Sequence, residues 1–258
     1  MMINNKTIFD VGAFNGLDGL ILALKNPTIM VHAFEANPEL ISKIKNNKKK
    51  IEKYKKIKIK NYKLNNLAVS DKNGLSIFNI AKNPTASSLN NFSKNIDKTW
   101  PGYREAHCKV LKRIKIKTIT LEDYCKDNKI KKINYLHIDT QGNDLKVLRG
   151  LKNKISLVCK GVLEAAINKK KSLYAKNHTI DEVKKFLKKK SFKIQKINNI
   201  DKNITYEKNI YFSKNKINDN DKINTNYNLR YFNRIVDNRL TFKDKLIDFI
   251  KNFISIKF

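Results

Sequence analysis

Short apolar runs alternate along this chain with stretches whose apolar residues recur every three or four positions. Thr7–Val11 reads as a buried strand, closed by the glycine turn Gly12-Ala13-Phe14-Asn15-Gly16. Leu17, Leu20, Ile21 and Leu24 then share one helical face, so the spacing predicts a helix from Gly16 to Lys25. Ile29–Phe34 is the second strand. Asn37-Pro38-Glu39 starts a helix, with Asn as N-cap, Pro at the first helical position and an acid in the first turn. Leu40, Ile41 and Ile44 supply its apolar face, and the run Lys48–Lys50 its end. Leu64–Val69 reads as one strand stopped by Ser70-Asp71-Lys72-Asn73-Gly74, and Leu75–Ile80 as another. Residues 81–110 are irregular, and they are either a substrate-facing excursion or a merely flexible one.

The alternation continues. Ile114–Thr118 is a strand, and Thr120-Leu121-Glu122-Asp123 caps a helix to Asn128. Ile133–Ile138 is a strand ending at Asp139, Asn143–Gly150 a helix, and Ser156–Leu163 a strand ending at Glu164. Thr179-Ile180-Asp181-Glu182 is a capping box for a helix through Lys190. Phe192–Ile197 and Thr205–Phe212 form an antiparallel pair because the link between them is short. This order predicts an α/β domain over residues 1–213, a mostly parallel sheet with helices on both faces. Residues 214–229 are polar and read as a linker. In Thr241–Phe258 an apolar stripe lies beside Lys243, Lys245 and Lys251. That segment is either a basic amphipathic helix for an anionic membrane surface or a terminal helix packed on protein.

Composition changes this picture in two ways. The net charge of +32 invites an anionic partner, but only six of the 55 basic residues are Arg, the residue that reads phosphate and guanine in bidentate fashion. Nucleic acid is therefore disfavoured, and compositional drift with solvated lysine faces is the plainer reading. Cys108, Cys125 and Cys159 show neither metal-ligand nor disulfide spacing, which fits a reducing cytoplasm. No clustered His/Asp pattern argues for a metal. Met1 to Lys6 carry no signal-peptide run, so a cytoplasmic protein, peripheral at most at the inner membrane face, is expected.

Glu35 follows Asp10 by 25 residues and ends the second strand, the place where a carboxylate accepts ribose hydroxyls. Gly12 and Gly16 are not a G-x-G-x-x-G fingerprint, and the Tyr54/Lys58 pair lies too early for a short-chain dehydrogenase, so hydride transfer is disfavoured. Asp10-Val11-Gly12, Phe34-Glu35-Ala36-Asn37-Pro38, Leu67-Ala68-Val69-Ser70-Asp71 and Tyr135-Leu136-His137-Ile138-Asp139-Thr140-Gln141-Gly142 stand in one order. Together they resemble the FkbM family of S-adenosylmethionine-dependent methyltransferases, over about residues 7 to 212.

The resemblance implies a class I, Rossmann-like fold of seven strands, the last antiparallel, and methyl transfer to oxygen, often a sugar, glycan or small-molecule hydroxyl. It implies that Asp10, Gly12 and Gly16 approach the methionine half of the cofactor. Glu35, Ala36 and Asn37 would hold the ribose, Val69, Ser70 and Asp71 would flank the adenine, and Asp139 would sit near the sulfonium. In this chain Phe14 precedes Asn15 in the first turn, and Gln141 stands where the family has an acid. A hydroxyl acceptor must lose a proton, and Asp139, Glu164, His107 and His178 are the candidate bases. His32 and His137 sit among core positions and read as structural. A nucleic-acid methyltransferase and a non-catalytic binding protein remain alternatives.

Overall fold

The computed structural model describes residues 6–99, 104–200, 206–216, 223–241 and 244. The elements run β1 Thr7–Val11, α1 Leu17–Lys25, β2 Met30–Phe34, α2 Pro38–Lys55, β3 Tyr62–Asn65, β4 Ala68–Val69, β5 Gly74–Ala81 and α3 Ile96–Thr99. They continue with β6 Val110–Ile119, α4 Leu121–Asp127, β7 Tyr135–Ile138, α5 Asp144–Arg149, β8 Lys160–Ala166, α6 Ile180–Lys189, β9 Phe192–Asn199, β10 Glu207–Lys214 and α7 Leu229–Val236.

Seven strands form the main sheet in the order β3-β2-β1-β7-β8-β10-β9. β1 pairs in parallel with β2 on one side and β7 on the other, so the chain order reverses there. Ligands of open α/β sheets sit at such a switch point, beyond the carboxyl ends of the strands. β10 lies antiparallel between β8 and β9. Every residue of β1 is buried, as a central strand covered on both faces requires. Ile8 packs with Leu20, Ile21 and α7, whereas Phe9 packs with Leu136 and the α4–α6 side.

Four departures from the sequence pattern matter. Leu64–Val69 is two strands rather than one. β3 ends the main sheet, and β4 joins β5 and β6 in a separate three-stranded sheet. Asn65 and Asn66 cause the break: their side-chain amides donate to the carbonyls of Ala33 and Glu35, replacing ladder bonds as the chain leaves β2. The expected strand Ser156–Leu163 shifts forward, because Lys152–Leu157 curls into a 3₁₀ turn, and Glu164 lies within β8 instead of beyond its tip. The lysine run does not end α2, which continues to Lys55 because Ile51 is still buried. Lastly, the polar stretch after residue 214 gives way to α7, capped by the Asn228 side chain, with Phe232, Ile235 and Val236 packed against α1 and α2.

The capping box at Thr179 is present, with both reciprocal bonds to Glu182. The amphipathic segment Thr241–Phe258 lies outside the described residues apart from Thr241 and Asp244. Among the described residues no helix is long and apolar enough to cross a membrane.

Candidate active site

Three loops meet at the switch point. The loop after β1 turns on Gly12 at φ +90°, where a Cβ would fall 1.7 Å from the Asp139 carbonyl oxygen. The N–H groups of Gly12 and Ala13 both donate to the Phe34 carbonyl, and Asp139 N–H donates to Val11, which locks the tips of β1, β2 and β7 together. Gly16 follows as the left-handed N-cap of α1 and packs under Ile44 and Tyr62.

Glu35 stands just past β2. Its Oε2 accepts from the N–H of Phe14 at 2.6 Å and its Oε1 from the N–H of Asn37 at 2.7 Å. Asn37 in turn caps α2 through its side chain. Burial pushes the Glu35 carboxyl up to about 7, against the pull of these two amides and with the push of the Asp10 and Asp139 charges. Each oxygen uses one lone pair on the backbone, which leaves acceptor capacity on both.

A single cleft is lined by Gly12, Phe14, Glu35, Ala36, Val69 and Asp139. Apolar walls come from Phe34, Leu40, Leu67 and Phe78, and a rim from Pro84, Thr85, Ser87 and Leu89 of the excursion between β5 and β6. Ser88 Oγ donates to the Gln141 carbonyl at 2.6 Å and Asn90 Nδ2 to that of Gly142 at 2.7 Å, tying this excursion to the loop after β7. There Gln141 Nε2 donates to Asp139 Oδ1 at 2.6 Å, and the Tyr174 hydroxyl lies 2.9 Å from Gln141 Oε1. Phe92 stacks on Tyr174. Burial raises the Asp139 carboxyl, while the His137 charge and Gln141 oppose the rise.

Not every residue singled out in the sequence reaches this cleft. Ser70 and Asp71 line a neighbouring cavity, because Ser70 N–H follows the small sheet by donating to Ile119. Asp10 lies fully buried below it, with Oδ1 2.8 Å from His137 Nδ1 and Oδ2 without a partner. Glu164 and His178 are not among the lining residues. The Glu164 N–H donates to Asp144 Oδ2, and His178 Nε2 is buried without a partner. His107 is bonded to Asn83 instead. Leu67, Phe78, Leu89 and Asn143 also line the cleft without having been expected there. Of these only Leu67 carries a signal in the sequence, as the first residue of Leu67-Ala68-Val69-Ser70-Asp71.

The buried carboxylates gather at this end of the sheet. Burial first, then mutual repulsion, raises Asp144 and Glu207 to about 7, and Glu164 well above its ordinary range. Burial pulls His137 down, but its bond to Asp10 and the Asp10, Asp18 and Asp139 charges lift it to about 9. These groups hold protons in the folded chain that the unfolded chain has already lost. Carboxylate stability is thus full below pH 4.5, and drains as the pH rises through about 7. The His137 contribution is full below 6.5 and is lost through about 9. His32, held at about 4 by burial and Lys63, acts oppositely but only below 6.5. The ligand-free protein should melt lower at pH 8.5 than at pH 6.5, by on the order of 5 °C in a thermal scan. An equal or higher midpoint at pH 8.5 contradicts this electrostatic account.

A switch-point cleft, a carboxylate at the tip of the second strand and an antiparallel strand inserted near the far edge define the class I S-adenosylmethionine-dependent methyltransferase arrangement. The chain belongs to the FkbM methyltransferase family: the family model described as the methyltransferase FkbM domain matches residues 10–194. S-adenosylmethionine is the methyl donor of that family.

No curated protein matches the chain. Among solved structures, a methyltransferase FkbM from Methylobacillus flagellatus KT is similar at 14% identity and TM-score 0.49, over 81% of this chain and 44% of its own. TrmK of M. capricolum, solved with S-adenosyl-homocysteine, gives 15% identity and TM-score 0.44, over 84% and 66%. Magnesium protoporphyrin IX methyltransferase of Synechocystis PCC 6803, solved with S-adenosylmethionine, gives 10% and 0.41, over 80% and 69%. The chain thus spans less than half the length of the first and about two thirds of the second. What those proteins bind or methylate is a property of theirs.

Proposed function

We propose that this protein moves the methyl group of S-adenosylmethionine to a hydroxyl oxygen of a sugar, glycan, glycolipid or other small-molecule acceptor. The observation that carries the reading is the convergence of Glu35 and Asp139 on one cleft with the Gly12 turn. The residues fit the cofactor. Glu35 keeps acceptor capacity on both oxygens for the two ribose hydroxyls. Phe34, Leu67 and Val69 offer apolar walls for a flat base, with Ser70 and Asp71 just beyond. Negative charge from buried Asp10 and Glu35 and half-buried Asp139 favours a cation in a chain that is otherwise strongly basic.

The bound cofactor supplies an electrophilic methyl group for in-line displacement. Asp139 takes the hydroxyl proton. Its carboxyl is raised by burial and is therefore a better base than an exposed aspartate, and Gln141 and Tyr174 fix its orientation. Glu164 and His178, outside the cleft lining, serve as positioning groups at most. The Gly12 turn lets the loop after β1 pack directly on the Asp139 carbonyl, where a side chain would force the two loops apart.

Incubation of the protein with methyl-labelled S-adenosylmethionine and a panel of sugars, nucleotide sugars and glycolipids should yield a methyl ether, read by mass and NMR. Label on a base nitrogen of RNA, or binding without transfer to any acceptor, counts against the hydroxyl assignment.

A further inference from the structure

Beside the cleft, and sharing Leu89 and Asn143 with it, lies a second, open cavity. Its charged residues are Lys72, Arg113, Lys146 and Lys176 against one carboxylate, Asp71. We infer that this cavity binds the phosphate of the methyl acceptor, so that the acceptor is a phosphorylated sugar rather than a neutral one. The inference rests on the methyl-transfer reading and narrows its substrate class.

Lysines are common everywhere on this chain, so their mere presence says little. Three features set these apart. Arg113 is one of only six arginines, and its Nε donates at 3.2 Å to Oδ1 of the buried Asn79 across the β5–β6 pair. A guanidinium held in place this way is suited to bidentate contact with phosphate. Lys146 is half-buried on α5. Burial depresses it most, Asp71 counters that, and Lys176, Arg149 and Lys72 each add a smaller push downward. Cations crowded in a concave site repel one another until an anion enters. Finally, the Asn143 Oδ1 atom is buried without a partner, although its Nδ2 donates to Val69. Asn143 lines both cavities and so stands at the wall between them.

The remaining surfaces suit a sugar. Asn91 and Ser76 bring further polar groups. Ile77 lines the cavity with 47% of its surface exposed, and Leu75, on the same face of β5, is 74% exposed. Polar groups for hydroxyls, an apolar wall for a ring face and cations for phosphate are the recognition elements of a phosphorylated sugar. A long polyanion would need such contacts repeated along a surface, with a salt dependence to match.

The test is calorimetric titration of the full-length protein, preloaded with S-adenosyl-homocysteine, with inorganic pyrophosphate, glucose 1-phosphate and glucose at about 0.15 M salt. Pyrophosphate and glucose 1-phosphate should bind, and glucose should bind at least about tenfold more weakly, a loss of one charge-assisted contact. The double variant Arg113→Gln/Lys176→Gln should lose at least about tenfold in affinity for both anions, with S-adenosyl-homocysteine affinity unchanged. The exposed pair Lys185→Gln/Lys189→Gln on α6 should change neither. No anion binding, equal loss in the α6 pair, or unchanged binding in the cavity variant overturns the proposal. Tighter binding of an RNA oligonucleotide than of pyrophosphate, lost in the same variant, reassigns the cavity to nucleic acid and also overturns it. Failure of S-adenosyl-homocysteine to bind at the outset sinks the methyl-transfer reading itself, a result distinct from all of these.

Discussion

Gly12→Ala should abolish measurable cofactor binding and lower the melting temperature, although it adds one methyl group. At φ +90° an alanine carries backbone strain of about 1–3 kcal/mol. The larger effect is steric. The new Cβ would lie 1.7 Å from the Asp139 carbonyl oxygen and 2.6 Å from its carbon, both backbone atoms that no rotamer change can move. The loops after β1 and β7 must separate, which breaks the Asp139-to-Val11 bond at the base of the cleft. Each kcal/mol lost costs roughly 2–4 °C in a chain of this size. Gly74→Ala provides the control: its φ is +132°, but a Cβ there meets nothing within 4 Å. It should carry the strain alone and leave the cofactor affinity as it was. Differential scanning fluorimetry and calorimetry on both variants separate the two effects, and an alanine at position 12 that binds cofactor normally would falsify the cleft geometry.

Much of this arrangement is legible in the sequence, for a physical reason. β1, β2 and β7 are central strands covered on both faces, so they appear as continuous apolar runs, and their tips carry the glycines and acids that stand out. Helix starts at Asn37, Thr120 and Thr179 are visible because a cap is a local hydrogen bond. The split of Leu64–Val69 is not local. Ala68 and Val69 are apolar whether they pair with β2 or with β6, and only the long-range bonds of Asn65 and Asn66 decide. α7 escaped because its apolar residues are few and set in an Asn-rich stretch, though Leu229, Phe232, Ile235 and Val236 do recur at helical spacing. The second cavity escaped for a related reason: its cations come from four separate elements and loops, and in a lysine-rich chain none stands out alone.

That same basic composition gives meaning to the carboxylates. A chain of net charge +32 has only 23 acidic residues, yet it buries Asp10, Glu35, Asp144 and Glu207, with half-buried Asp139, at one end of its sheet. Asp139 and Asp144 are each raised by burial and by a neighbouring carboxylate. Such a cluster costs stability in the ligand-free state and is relieved by a positive ligand. The two adjacent sites then divide by sign, the cleft favouring a cation and the lysine-lined cavity an anion. A cationic methyl donor and an anionic acceptor would be sorted by charge before shape is read.

Glu35→Gln should weaken cofactor binding by on the order of a hundredfold, the loss of charge on an acceptor of two hydroxyl donors. Its pH signature is the sharper part. In the wild type the free carboxyl sits near 7, and only its ionised form accepts two strong bonds. Cofactor affinity should therefore fall up to about tenfold for each pH unit below 7 and level off above it. The glutamine variant has nothing to titrate at position 35, so between about pH 5.5 and 8.5 its affinity should follow pH less steeply than the wild type's, the remaining slope coming from Asp144 and Glu207. Folding should change little near pH 6, where Glu35 is already largely protonated. The substitution leaves one of the Phe14 and Asn37 amides facing a donor, but it also removes a buried charge. Calorimetric titration with S-adenosylmethionine across that range reads both effects. If wild type and variant show the same slope, the titrating group is elsewhere, with Asp144 and Glu207 next in line because they too sit near 7. If both bind equally tightly at pH 8, Glu35 does not hold the ribose at all.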